Sequence, residues 1–289
     1  MLALVMAYTA CAQQYDSDRD FRIALLDGGK SVEITKYVGE KQIVNIPPRI
    51  EGMTVTRIGD LVFKDDRDII KVTIPNTVTS IGNGAFDGCT NLTSITIPKS
   101  VTEIGILAFR GCTSLTGITI PAGVTEIGGE AFFRCTNLTS ITIPASVTEI
   151  GSYAFMYCTS LTSINIPASV TSIDQGIFIG CHSLTSITIP ASVTSIGSNA
   201  FTGCDNLIEI TIPASVTSIG GYAFNGCTSL TSITIPAGVT SIGEGAFDDW
   251  TSSQTINVRG HASQATADRA WGSDWRDKCN AKIVYQGGN

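Results

Sequence analysis

Seven cysteines, Cys89, Cys112, Cys135, Cys158, Cys181, Cys204 and Cys227, stand 23 residues apart. Thiolates can hold metals and pairs of thiols can close disulfides, but metal sites want clustered ligands such as C-x-x-C. Here each thiol sits alone between apolar neighbours, and an odd row cannot pair completely. Free cysteine is among the most buried residue types, so the row reads as small core filler, with no metal site. Glu103, Glu126 and Glu149 share the same spacing. Stacked about 5 Å apart, such charges repel by roughly 0.8 kcal/mol in water. A Ca²⁺ ion could bridge this row of oxygen ligands, or the long side chains could splay into solvent. A third row carries hydroxyls: Thr96, Thr119, Thr142, Thr188, Thr211 and Thr234, with Asn165 filling the remaining place. It is either a structural ladder or a regular lattice suited to a repetitive ligand such as a glycan.

Catalysis finds little to work with. The chain has two histidines, His182 and His261, with no motif around either. No G-x-S-x-G, P-loop or H-E-x-x-H occurs. The expectation is a protein with no catalytic residues and no cofactor.

The elements that position these rows follow from one period. Pro75, Pro98, Pro121, Pro144, Pro167, Pro190, Pro213 and Pro236 recur every 23 residues. A fixed period in the twenties marks a solenoid, in which no unit buries its own apolar face alone. With proline as position 1, Pro190 to Ile212 places Val193, Ile196, Ala200, Phe201, Cys204, Leu207, Ile210 and Ile212 at the apolar positions. The end of each unit alternates, as in Ser94-Ile95-Thr96-Ile97, which predicts a strand with isoleucine inward. Proline then stops it for want of an N–H. Valine and isoleucine at positions 4 and 7 suit a turn or a second short strand. Position 8 is glycine in seven of the eight full repeats and Asp174 in the other. That pattern predicts a left-handed turn there. A ninth, longer unit precedes these eight. Position 15 is Asp66 in that first unit and Trp250 in the last, as expected of coils with a single neighbour. Each buried Ile, Leu, Val or Phe contributes about 1.5–3 kcal/mol, so the core needs no disulfide.

The cycle L-x-x-I-x-I-P-x-x-V-x-x-I-G-x-x-A-F-x-G-C, as it stands from Leu92 to Cys112, resembles the BspA-like, spirochaete-type leucine-rich repeat of bacterial surface proteins. The resemblance covers residues 43–258, about three quarters of the chain. It implies a right-handed, curved leucine-rich-repeat solenoid with one parallel β-sheet on one face and short turns or helical segments on the other. It also implies cell-surface attachment, because several members act as adhesins or antigens.

Outside the repeats, Phe21 to Leu26 and Ser31 to Tyr37 read as two strands around Asp27-Gly28-Gly29-Lys30, an N-terminal β-hairpin cap over residues 13–42. Residues 259–289 read as an α/β C-terminal cap. It comprises a short helix at Ala262 to Trp271 and a final strand at Ala281 to Tyr285, with Trp271 and Trp275 as plugs. Residues 1–12, MLALVMAYTACA, resemble the end of a secretory signal, with either a lipobox that would lipidate Cys11 or cleavage after Ala12. Export to the cell surface or beyond is the expected localisation, with no transmembrane span, because no apolar run reaches about 18–20 residues.

The chain carries a net charge of −7. Between residues 75 and 250 only Lys99, Arg110 and Arg134 are basic, against eleven acidic residues. Nucleic-acid binding needs a basic stripe and is excluded. Individuality sits at positions 9, 10, 13 and 14, which hold Ile106, Leu107, Phe133, Tyr153, Met156, Tyr157, Ile179 and Tyr222. All but Tyr222 fall in four consecutive coils and could form one apolar patch of the kind that marks an interaction site. The expectation is an exported protein that binds a host or neighbour-cell surface protein or glycan non-covalently. The alternatives are a self-associating coat component without a dedicated ligand, and a lattice binder using the threonine face.

Overall fold

The structure, a computed structural model, describes residues 14–287. Cys11 and the lipobox reading lie outside the described residues. Each 23-residue unit makes one coil. The isoleucine-centred triplet before proline is a three-residue strand, as at Ser94–Thr96, Gly117–Thr119 and Ser140–Thr142. Positions 6 and 7 make a two-residue strand, as at Glu103–Ile104, Glu126–Ile127 and Glu149–Ile150. Positions 9 to 14 are turns. Coils stack in parallel register one repeat apart, so Ile118 faces Ile141 and Ile127 faces Ile150.

One sheet was expected and two parallel ladders are present. Position 4 closes a turn on the proline, Val101 N donating to Pro98 O at 3.1 Å, and the chain then extends over positions 6 and 7 as the second short strand. Residues 43–258 contain turns on the remaining side and no helix. The hairpin strands Phe21–Leu26 and Ser31–Tyr37 pair antiparallel. The second of them continues the short-strand ladder against Met53–Ile58. Ile43–Asn45 opens the triplet ladder, and Lys282–Gln286 closes it against Thr255–Arg259. With cap strands laid onto both ladders, the solenoid amounts to about 11 turns.

The core is one continuous cluster from Phe21 to Trp275. Along its axis run nine phenylalanines, one per coil, from Phe63 to Phe247. Neighbouring rings stack with centroids 5.0 Å apart at Phe63–Phe86 and 5.9 Å at Phe155–Phe178, the ends of the range. Tyr37 and Phe21 extend the column at one end. At the other, Trp250 and Trp275 meet Phe247 edge-on, and Trp271 packs on Trp275. Edge-to-face contacts terminate a stack without presenting another face for continuation. The C-terminal helix, Gln264–Trp271, delivers Trp271, which is buried and donates its indole N–H to Val239 O at 3.2 Å. The plugs expected from the sequence are the residues that close the end.

The glycines at position 8 are a correction. None of Gly82, Gly105, Gly128, Gly151, Gly197, Gly220 and Gly243 has a positive φ, nor does Asp174. They are small because the preceding coil is too close: a Cβ on Gly128 would lie 2.6 Å from Gly105 C and Ile106 N. Asp174 instead accepts a hydrogen bond from Ser172 Oγ at 2.7 Å. The left-handed residues are at positions 10 and 14 of every full coil.

Candidate functional site: the turn ridge and the strand-face groove

The turn side is itself a ladder. The amides of Gly84, Phe86 and Gly88 donate to Ile106 O, Ala108 O and Arg110 O of the following coil at 2.8, 2.8 and 2.7 Å. Holding alternate amides toward one neighbour forces positions 10 and 14 into the left-handed region. Glycine takes that conformation without strain, and it stands at Gly88, Gly111, Gly180, Gly203 and Gly226. Bulky residues there are uncommon and costly. Yet Leu107 (φ 61°), Arg134 (φ 57°), Tyr153 (φ 61°), Tyr157 (φ 60°) and Tyr222 (φ 55°) occupy these positions. Backbone strain of this kind clusters where side chains have work to do.

The structure brings some of the expected patch together. Phe133 and Tyr157 meet edge-on at 5.9 Å, and the Arg134 guanidinium lies 5.3 and 5.7 Å from their ring centroids. The Tyr157 ring fills the space beside Gly180, where a Cβ would come within 2.6 Å of it. Tyr153 does the same at Gly176, with Ile179 alongside. Glycine in one coil thus makes room for tyrosine from the coil before. Leu107, Phe133, Tyr153, Met156, Tyr157 and Ile179 are all half-buried. Ile106 stands apart: it is 53% exposed and borders a depression with Asn83, Glu103 and Glu126 on the short-strand side. Arg134 is the residue the sequence reading missed. Its adjacency to Phe133 and its place at position 14, one coil before Tyr157, were the available signals. It is exposed and, among the described residues, forms no ion pair, whereas Arg110 is held by Asp87 at 2.8 Å.

The other rows resolve by contact. All seven thiols of the cysteine row are free and buried. Each donates to the phenylalanine carbonyl 26 residues earlier, Cys135 to Phe109 O at 3.1 Å and Cys158 to Phe132 O at 3.2 Å. Burial pushes the Cys135 and Cys181 thiols up to about 12. Glu126 faces Glu149 in register and all three glutamates of the row are exposed. Among the described residues no cluster of His, Cys, Asp and Glu is arranged to hold a metal ion. His182 pairs with Asp205 at 3.2 Å on the surface.

The hydroxyls divide by position. Those at positions 3, 5 and 19 bond to the preceding coil, as Ser146 Oγ to Val124 O at 2.6 Å and Thr139 Oγ1 to Thr116 O at 3.0 Å. Thr119 faces Thr142 and Thr188 faces Thr211. Thr96, Thr119, Thr142, Thr188 and Thr211 are exposed and Thr234 is half-buried. This face is grooved. One depression, of about 820 Å³, lies over Thr96, Gly117, Thr119, Ser140 and Thr142, with Lys99 at its margin.

A parallel-strand solenoid with one small hydrophobic repeat per coil defines a leucine-rich-repeat protein, a class whose members are typically non-enzymatic binding scaffolds. Residues 56–184 and 148–268 match the BspA type leucine rich repeat region, in six copies, and the chain belongs to that family. It is similar to the leucine rich repeat protein of T. pallidum, at 30% identity over 75% of this chain and 91% of that one, with a TM-score of 0.63. It is also similar to a leucine-rich repeat protein of Bacteroides ovatus, at 29% identity over 93% and 70% of the two chains, with a TM-score of 0.79. The pneumococcal vaccine antigen PcpA shares the fold at 17% identity, with a TM-score of 0.55 over 92% of this chain and 82% of that one. No curated protein matches the chain.

Proposed function

We propose that this chain is an exported cell-surface protein that binds a partner protein non-covalently through its turn ridge, with Arg134, Phe133 and Tyr157 at the centre. One observation carries the reading: bulky Arg134 and Tyr157 occupy left-handed positions that five other coils give to glycine. Tyrosine, tryptophan and arginine dominate binding hot spots because they combine apolar area with directional polar contacts. Here the rings hold the guanidinium and reduce the freedom it would lose on docking. Between Pro75 and Val258 the strand positions of the repeated faces carry no tyrosine, tryptophan or arginine.

The test uses the coil's own alternative. Arg134→Gly and Tyr157→Gly install the residue that neighbouring coils carry, so the fold is retained. The immobilised chain is used to capture proteins from bacterial and host cell surfaces. A partner captured by the wild type is lost in both variants and kept by Tyr222→Gly. Equal capture by wild type and both ridge variants would sink the reading.

A further inference from the structure

Two departures from the repeat coincide at the strand-face groove. Position 2 is alanine in six coils and Lys99 in one. Position 20 is serine in most coils, glutamate in one and Gly117 in another. Gly117 has no backbone reason to be glycine. Its φ is not positive, and a Cβ there would make only ordinary contacts, 3.6 Å to Ser140 Oγ and 3.7 Å to Ser140 O. Its neighbour in the groove, Lys99, is exposed and among the described residues forms no ion pair. The break in the triplet ladder between Ser94–Thr96 and Gly117–Thr119 recurs between Ser140–Thr142 and Ser163–Asn165 and between Glu209–Thr211 and Ser232–Ile235, so the two substitutions are what set this groove apart. The missing side chain therefore deepens a recess rather than relieving strain or crowding.

We propose that this groove is a binding site for an acidic saccharide unit, a sugar ring bearing one carboxylate. Lys99 supplies the cation for the carboxylate. Thr96, Thr119, Thr142 and Ser140 surround it with hydroxyls that donate and accept, as sugar hydroxyls do. Among the described residues none of these three threonine hydroxyls is engaged in a protein hydrogen bond, unlike the hydroxyls at positions 5 and 19. Ile97, Ile120 and Pro121 give the floor an apolar edge for the C–H face of the ring. The volume of about 820 Å³ lies within the usual range for small-ligand sites. A protein partner fits worse, because the lining has no Tyr, Trp or Arg to anchor it. A polyanionic nucleic acid fits worse still, with one cation in an acidic body.

The experiment is calorimetric titration of the full chain with a trigalacturonate and with its neutral methyl ester. The acid binds, and the ester binds at least about tenfold more weakly. Lys99→Ala, which installs the residue of six other coils, abolishes the preference for the acid. Gly117→Ser, which restores the common residue, fills the recess and weakens both ligands. Tyr157→Gly leaves all of this unchanged, so failure here is separate from failure of the turn-ridge reading. Equal affinity for acid and ester, no binding of either, or full binding by Gly117→Ser each overturns the proposal.

Discussion

The indole nitrogen of Trp250 donates to the carbonyl of Phe224 at 2.9 Å, buried. In each of the seven coils before it a cysteine thiol makes the same bond, Cys227 to Phe201 O at 3.2 Å. The last coil thus keeps the hydrogen bond and exchanges a small side chain for one large enough to cover the end of the ring column. Trp250→Phe is expected to keep the cover and leave the carbonyl with only the Cys227 amide, which donates to it at 3.3 Å, at a cost of about 0.5–1.5 kcal/mol. Denaturant unfolding measures the loss, and amide exchange locates it in the final coils.

Substitutions on the turn ridge separate backbone from side-chain effects. Tyr153→Ala removes the ring and keeps a Cβ at φ 61°. Tyr153→Gly removes the ring and the strain together. The glycine variant should be the more stable of the two by about 1 kcal/mol, read as a difference in denaturation free energy. Equal stability would mean that the left-handed conformation relaxes once the ring is gone.

Two glycine-to-alanine changes distinguish crowding from conformation. At Gly128 a Cβ would lie 2.6 Å from backbone atoms of the preceding coil, which must then move. At Gly111, with φ +70°, the nearest atoms are 3.7 Å away and only the dihedral opposes alanine. Gly111→Ala should cost about 1–2 kcal/mol. Gly128→Ala should cost more and disturb the amide signals of both adjoining coils.

Alkaline pH should weaken the stack. The folded state holds the Cys135 and Cys181 thiols up to about 12, through burial, while an unfolded thiol ionises near about 8.5. Between those values the native state binds more protons than the unfolded one, so stability falls as pH rises. It is undiminished by this cause below the unfolded value. Urea midpoints from pH 8 to 11 should drop steadily, and Cys135→Ala should make the slope shallower. Thiol reagents should label the seven slowly in native protein at neutral pH.

Much of the coil could be read in residue types, because proline, paired isoleucines and the Val–Ile spacing each act locally. Position 8 shows where that ends. Glycine demanded by a neighbouring coil looks the same in sequence as glycine demanded by a dihedral, since the deciding atoms belong to residues 23 positions away. The left-handed sites were masked for the converse reason: Tyr153, Tyr157 and Leu107 hide a preference that Gly88, Gly111 and Gly203 display. The cluster of Phe133, Arg134 and Tyr157 depends on inter-coil spacing, and so does the groove over Gly117. Neither was visible before the coils were stacked.

The offset of one repeat between bonded strands has a mechanical meaning. Neighbouring coils are joined by hydrogen bonds that run along the stack, and only the end coils lack a second neighbour. Tension applied between the termini therefore peels coils singly from the ends instead of shearing the whole body at once. Each released coil frees 23 residues, a length of roughly 75–80 Å when extended. A protein tethered at a surface and pulled by what it holds would lengthen in steps of that size, dissipating load while the remaining coils stay folded.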